Sequence, residues 1–266
     1  MFETELILPR SAFSPRERAR AGDVWRAFQD LAVGDSIAAG WPPERYRDEG
    51  VSFVVRSMRA VHHRETRYGE RLVGRSWPSR FRRGMLFRRE CRLAGPDGAP
   101  LASATQGWVH VGADLSPARA SEALVAAFRP DEREPPIELP PHEPLSGGVE
   151  HTFELECWHT WMDPLGHVNH PAYVDWADEA TSRAMIARGL DPVDLRPVAE
   201  SARYRSGVRA TERVTISTRV TGRTEGGAAV LRHDVSVGER EAARVVTVRR
   251  LAGERGDRSR LELCYR

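Results

Sequence analysis

The stretch Asp163-Pro164-Leu165-Gly166-His167-Val168-Asn169-His170-Pro171 collects residue types that could act on a carbonyl group. It opens with an acid, turns on a glycine, and presents a histidine and an asparagine. Pro171 fits the first position of a helix, where a missing N–H costs nothing. The first amides of such a helix have no partner within it, and the helix dipole adds partial positive charge there. An acid facing N–H donors suits attack on a carbonyl: the acid activates water or attacks directly, and the donors hold the oxygen as it becomes negative. The same residue types also make plain turns and caps, with Asp163 as a turn residue, Asn169 as a cap and His167 as a satisfied loop histidine. On these residues alone both readings stand.

The element that positions this loop is a helix over 171–188, ended by Gly189. Tyr173, Trp176, Ala177, Ala180, Ala184 and Ala187 share one face, and its alanines suit close approach by a sheet. Asp175, Asp178 and Glu179 come early, Arg183 and Arg188 late, matching the dipole. Glu179 and Arg183 are four apart, so Glu179 is either a helix stabiliser or a carboxylate that orients water near Asp163.

Phe2 to Leu8 reads as a strand. A first helix runs from a cap at Asp23 to Gly40, with Trp25, Phe28, Ala32, Ser36 and Ala39 on its packed face. Strands are expected at 51–62, 70–77, 85–93 and 101–111, with Pro96-Asp97-Gly98 as a tight turn. Residues 129–148 are rich in proline and glycine and read as a semi-extended linker. The order then repeats: Phe153-Glu154-Leu155-Glu156, the helix, and strands at 209–221, 228–237 and 242–251. Leu86-Phe87-Arg88-Arg89-Glu90 also echoes Val230-Leu231-Arg232-His233-Asp234. The expectation is a tandem duplication of one α+β unit, with domains at 1–128 and 149–266. Register between the helices sets Ser14 opposite Asp163 and Arg18 opposite His167, so the first half lacks the acid.

The 266 residues carry a net charge of +2, and every cation is arginine. Lysine-based mechanisms are therefore excluded, and no strong preference for polyanions such as nucleic acid follows. No apolar run reaches the ~18 residues of a membrane span, and the first twenty residues lack the apolar core of a signal peptide. The odd, scattered Cys91, Cys157 and Cys264 fit reduced structural thiols in a cytoplasm. No histidine spacing matches a metal site, so neither metal nor cofactor is expected. Arginines at 75, 80, 82, 83, 88, 89 and 92 form either a basic rim that steers an acidic or phosphorylated partner, or the solvated face of two strands.

The run from Trp161-Met162-Asp163 through Tyr173-Val174-Asp175-Trp176 to Glu179 resembles the active-site segment of hotdog-fold thioesterases, above all the 4-hydroxybenzoyl-CoA thioesterase group and the acyl-ACP thioesterases. Val51-Ser52-Phe53-Val54-Val55-Arg56, Gly69-Glu70, Trp77, Gly84-Met85, Arg88-Arg89-Glu90 and Trp108-Val109 resemble the N-terminal repeat of the acyl-ACP enzymes. The resemblance implies two tandem hotdog domains, each a curved antiparallel sheet wrapped around a central helix, the first binding the acyl chain and the second doing the chemistry. It implies Asp163 as the catalytic carboxylate and the His170 backbone N–H as the carbonyl-polarising donor. His167 would orient Asp163, bind substrate or protonate the leaving thiolate. Gly166, Asn169, Tyr173 and Glu179 are the substrate-side candidates, with Asn169 tying the loop through its side chain. Two positions depart from the plant-type pattern: Leu165 stands where an Asn is usual, and Gly207 or Val208 where a later strand supplies an acid or cysteine.

The implied activity is hydrolysis of acyl-ACP or acyl-CoA thioesters, with an acyl carrier protein or CoA thioester as partner and a monomer, or a homodimer of hotdog pairs, as assembly. A hotdog dehydratase or hydratase and a non-catalytic acyl-binding protein are the rival readings.

Overall fold

The computed structural model describes residues 1–146 and 148–251, so Cys264 lies outside the described residues. The chain divides into two compact units: Met1–Ala12 with Asp23–Glu138, and Phe13–Gly22 with the chain from Leu139 on. The division at Glu138 and Leu139 falls inside the proline-rich stretch, while Phe13–Gly22, expected within a first domain of 1–128, groups with the second unit. The start of the proline-rich stretch is tied to the strands of the first unit. Asp131 N–H donates to Pro78 O (2.9 Å), Ile137 N–H donates to Thr105 Oγ1 (2.7 Å), and Glu134 pairs with Arg92 (2.6 Å).

The first unit contains β1 (Phe2–Leu6), α1 (Ala21–Ala38), α2 (Pro43–Asp48), β2 (Val51–His62), β3 (Leu72–Arg82), β4 (Leu86–Ala94), β5 (Pro100–Gly112) and α3 (Glu122–Ala127). Its strands run antiparallel in the order β1–β3–β4–β5–β2. Trp25, Phe28 and Ala32 on α1 are buried, and Leu31 packs closely over Gly74 of β3. Helix α1 begins two residues before Asp23, so Asp23 is not the cap. It sits in the first turn, where a negative charge suits the dipole, and accepts from Arg26 (3.2 Å). At the other end Gly40 takes φ +79°, and the N–H groups of Gly40 and Trp41 close back on Ile37 and Ser36.

The second unit contains β6 (His142–Pro144), β7 (His151–Glu156), α4 (Ala172–Ile186), β8 (Leu195–Tyr204), β9 (Arg213–Thr224), β10 (Ala229–Val237) and β11 (Arg240–Leu251). The antiparallel order is β8–β11–β10–β9, with β6 and β7 both pairing along the free side of β9. Helix α4 lies on β7, β9 and β11. Tyr173, Trp176, Ala177, Ala180 and Ala184 are buried as expected, whereas Ala187 caps the helix and is exposed. The sequence reading missed β8. Pro197 and the charges of Arg196, Glu200 and Arg203 hide its alternation. Glu200 is nonetheless fully buried, because Arg249 on β11 reaches it at 2.5 Å.

The internal repeat extends to single hydrogen bonds. A short 3-10 turn at Arg10–Ala12 matches one at His159–Trp161. Ser14 N–H donates to Arg18 O (2.9 Å), as Asp163 N–H donates to His167 O (2.7 Å). Glu17 N–H donates to Ser14 O (2.8 Å), as Gly166 N–H donates to Asp163 O (2.9 Å). Bridges Phe13–Ala19 and Met162–Val168 close the two loops, and Glu17 and Gly166 both have positive φ, +57° and +74°. The register that sets Ser14 opposite Asp163 is thus present in the backbone itself.

Candidate active site

Residues 162–168 form a closed loop between β7 and α4. The Asn169 N–H donates to Trp161 O (2.9 Å) and the Val168 N–H to Val208 O (2.9 Å), which fixes both ends. At the loop's tip a left-handed residue is required, and Gly166 supplies it at φ +74°. Asp163 precedes a proline and so takes extended backbone, turning its carboxylate across the loop. Its Oδ1 accepts the Leu165 N–H at 2.8 Å and, more distantly, the His167 N–H at 3.4 Å. Among the described residues Oδ2 has no protein donor. Asp163 is therefore a turn residue through one oxygen and a half-exposed, uncommitted base through the other.

His167 meets the loop that follows β8. A Cβ built on Gly207 would fall 2.6 Å from His167 Cγ and 3.0 Å from Nε2, and nearer still to Cδ2, so the imidazole lies directly on the Gly207 backbone. Neither ring nitrogen of His167 bonds to protein among the described residues. Arg240 holds the Gly207 segment: its Nη1 donates to Ser206 Oγ and Gly207 O, both at 2.8 Å, and its Nη2 donates to the two Glu212 oxygens at 2.9 and 3.0 Å.

His170 stands at the loop–helix junction. The Tyr204 hydroxyl donates to its carbonyl (2.9 Å), and the His170 and Tyr204 rings meet edge to face at 6.0 Å. Tyr173 is 2% exposed and packs on Trp176 and Tyr204. Burial pushes the Tyr173 hydroxyl well above its ordinary pKa, against a hydrogen bond from the Val208 backbone. It lies behind the loop, packed between α4 and the end of β8. Asn169 differs from expectation: its ties to Trp161 and Ala172 run through its backbone, not its side chain. Glu179 is exposed and accepts from Arg183 at 2.8 Å, the helix-stabilising arrangement rather than one facing Asp163. Tyr204, Gly207 and Arg240 complete the site and were not foreseen. The one sequence signal was that Gly207 or Val208 falls where the plant-type pattern has an acid or cysteine.

Other reactive groups lie away from this chemistry. Burial pushes the Cys91 and Cys157 thiols up to about 11, so both stay protonated. Most of the arginine rim is neutralised, with pairs Arg75–Glu3 (2.5 Å), Arg80–Glu132 (3.4 Å), Arg88–Glu90 (3.3 Å), Arg89–Asp35 and Arg92–Glu134 (2.6 Å). That favours a solvated and partly buried ion-pair face over a steering patch. No helix among the described residues is long and apolar enough to cross a membrane.

Each unit sets its antiparallel strands against its own helix, and this is the tandem hotdog fold. Residues 165–240 match the family model of the thioesterase superfamily. Solved structures share the fold over nearly the whole chain. A protein assigned as an oleoyl thioesterase from Lactobacillus plantarum has 19% identity and a TM-score of 0.81, covering 95% of this chain and 97% of its own. The 12:0-ACP thioesterase from Umbellularia californica has 15% identity and a TM-score of 0.75, covering 94% of each chain. An acyl-ACP thioesterase from Bacteroides thetaiotaomicron has 13% identity and a TM-score of 0.72, covering 93% of this chain and 97% of its own. No curated protein matches in sequence.

Proposed function

We propose that the second unit hydrolyses fatty acyl thioesters carried on an acyl carrier protein or CoA, with Asp163 as the reacting carboxylate. The observation that carries this reading is the split role of that side chain, Oδ1 anchored by the Leu165 N–H and Oδ2 open. Water adds to the thioester carbon and gives a proton to Oδ2, the C–S bond breaks, and the thiolate takes that proton as it leaves. The His170 N–H, at the helix end where the dipole is positive, holds the carbonyl oxygen as it gains charge. His167 lies beside the leaving thiolate. Direct attack by Oδ2, giving a mixed anhydride that water then opens, uses the same atoms. The first repeat has Ser14 at the matching loop position, and the first unit is assigned no chemistry, only acyl-chain binding.

The test is thiol release from a panel of acyl-CoA and acyl-ACP thioesters, wild type beside Asp163→Asn. Asn keeps the Oδ1 acceptor for Leu165, so the loop closes while the base is lost. The expected loss is about a hundredfold or more in kcat. Equal rates would leave Asp163 as a turn residue only, and binding of acyl thioesters without hydrolysis would make the chain an acyl-binding protein.

A further inference from the structure

Resting on that reading, we propose that Gly207 is a positioning residue for His167, and that Arg240 fixes the platform on which it acts. Gly166 and Gly207 are glycines for different reasons. Gly166 needs its left-handed φ of +74°, and a Cβ there would meet nothing within 4 Å. Gly207 is outside the left-handed region, so its backbone would accept any residue. What it supplies is room. The contact point at 2.6 Å from Cγ is closer than any real Cβ approaches, and the obstructing atoms belong to a rigid ring rather than a flexible chain end. Any side chain at 207 therefore moves the imidazole.

The ring has little else to hold it. No hydrogen bond to protein fixes either of its nitrogens among the described residues, so the Gly207 surface sets its plane and leaves both nitrogens for substrate. That surface is itself rigid. Arg240 binds the Gly207 carbonyl and Ser206 Oγ while its other nitrogen is held bidentately by Glu212. Ser206 Oγ donates to Glu241 O (2.9 Å), and Val208 O receives the Val168 N–H from the catalytic loop. The residue after His167 and the residue after Gly207 are thus bonded to each other, which locks the ring between two segments of one unit.

The test is a double-mutant cycle on thioester hydrolysis, with Gly207→Ala made in wild type and in His167→Ala. In wild type the alanine is expected to lower kcat by roughly ten- to a hundredfold, the scale of a misplacement of about 1 Å in a catalytic group. In the His167→Ala background the same change is expected to cost less than about twofold, because there is no ring to displace. A loss of similar size in both backgrounds, or none in wild type, overturns the proposal. Arg240→Met serves as the second variant should Gly207→Ala fail to fold: it adds no atoms, frees the Gly207 carbonyl, and is expected to show the same dependence on His167. If Asp163→Asn keeps full activity, the proposed function fails; if Asp163→Asn is inactive while Gly207→Ala matches wild type, only this inference fails.

Discussion

Acid offers a direct probe of the buried His233. Its Nδ1 lies 2.9 Å from Thr218 Oγ1 and its Nε2 2.9 Å from Thr247 Oγ1, across three neighbouring strands. Burial first, and the Arg249 cation second, bring its pKa down from 6.5 to about 3, with Asp234 opposing. The native protein therefore keeps a neutral ring through mild acid, while the unfolded chain takes up a proton near its ordinary value. Between those two values the unfolded state binds more protons, so stability is complete above the unfolded pKa and falls as pH falls, by about 1.4 kcal/mol per pH unit for this one group. Over the whole window the loss approaches about 5 kcal/mol, comparable with the ~5–15 kcal/mol that holds a typical domain folded. The assay is urea unfolding followed by circular dichroism, from about pH 7.5 to about pH 4, for wild type and His233→Gln. Carboxylates titrate in both proteins, so their difference isolates the ring. The variant is expected to be less stable near neutrality, having lost one threonine bond, and to gain on wild type at about 1.4 kcal/mol per pH unit below about pH 6. Parallel curves across the range would refute the reasoning.

Two further outcomes follow from buried groups. Arg249→Met strips the cation from Glu200 and Asp178 and is expected to cost about 3–5 kcal/mol in thermal or urea unfolding, because Glu200 is left charged inside the unit. Adding Glu200→Gln should restore at least half of it; a single-variant loss below about 1 kcal/mol would count against a tightly paired cluster. Cys157→Ser is expected to leave kcat for thiol release within about a factor of two, since a thiol held near 11 is not the nucleophile. A large loss there would move the chemistry away from Asp163.

Much of this architecture was legible from local pattern. The limits of β2 coincide with the sequence reading, and β4, β5 and β10 differ by a residue or so at an end, because alternation and glycine turns mark them. The Asp163 loop was legible because its turn chemistry is local: an acid before proline, a glycine at the tip, and a helix start behind. What was not legible depends on partners distant in sequence. Strand β8 looks too polar until Arg249 is brought to Glu200. The contacts of Tyr173 with Val208 and Tyr204 cannot be read from its own helix. Gly207 looks like any loop glycine until His167 is seen to occupy the space beside it. In each case the tertiary neighbour, not the residue's own propensity, decides the role.

The loop at Phe13–Ala19 closes through the same hydrogen bonds as the one at Met162–Val168, yet has Ser14 for Asp163 and Glu17 for Gly166. Loop shape and acid are thus separable in this chain: the loop closes the same way whether or not it bears a carboxylate at this position. An acid could be returned to position 14 without rebuilding the backbone around it, so the chain's asymmetry is chemical before it is structural.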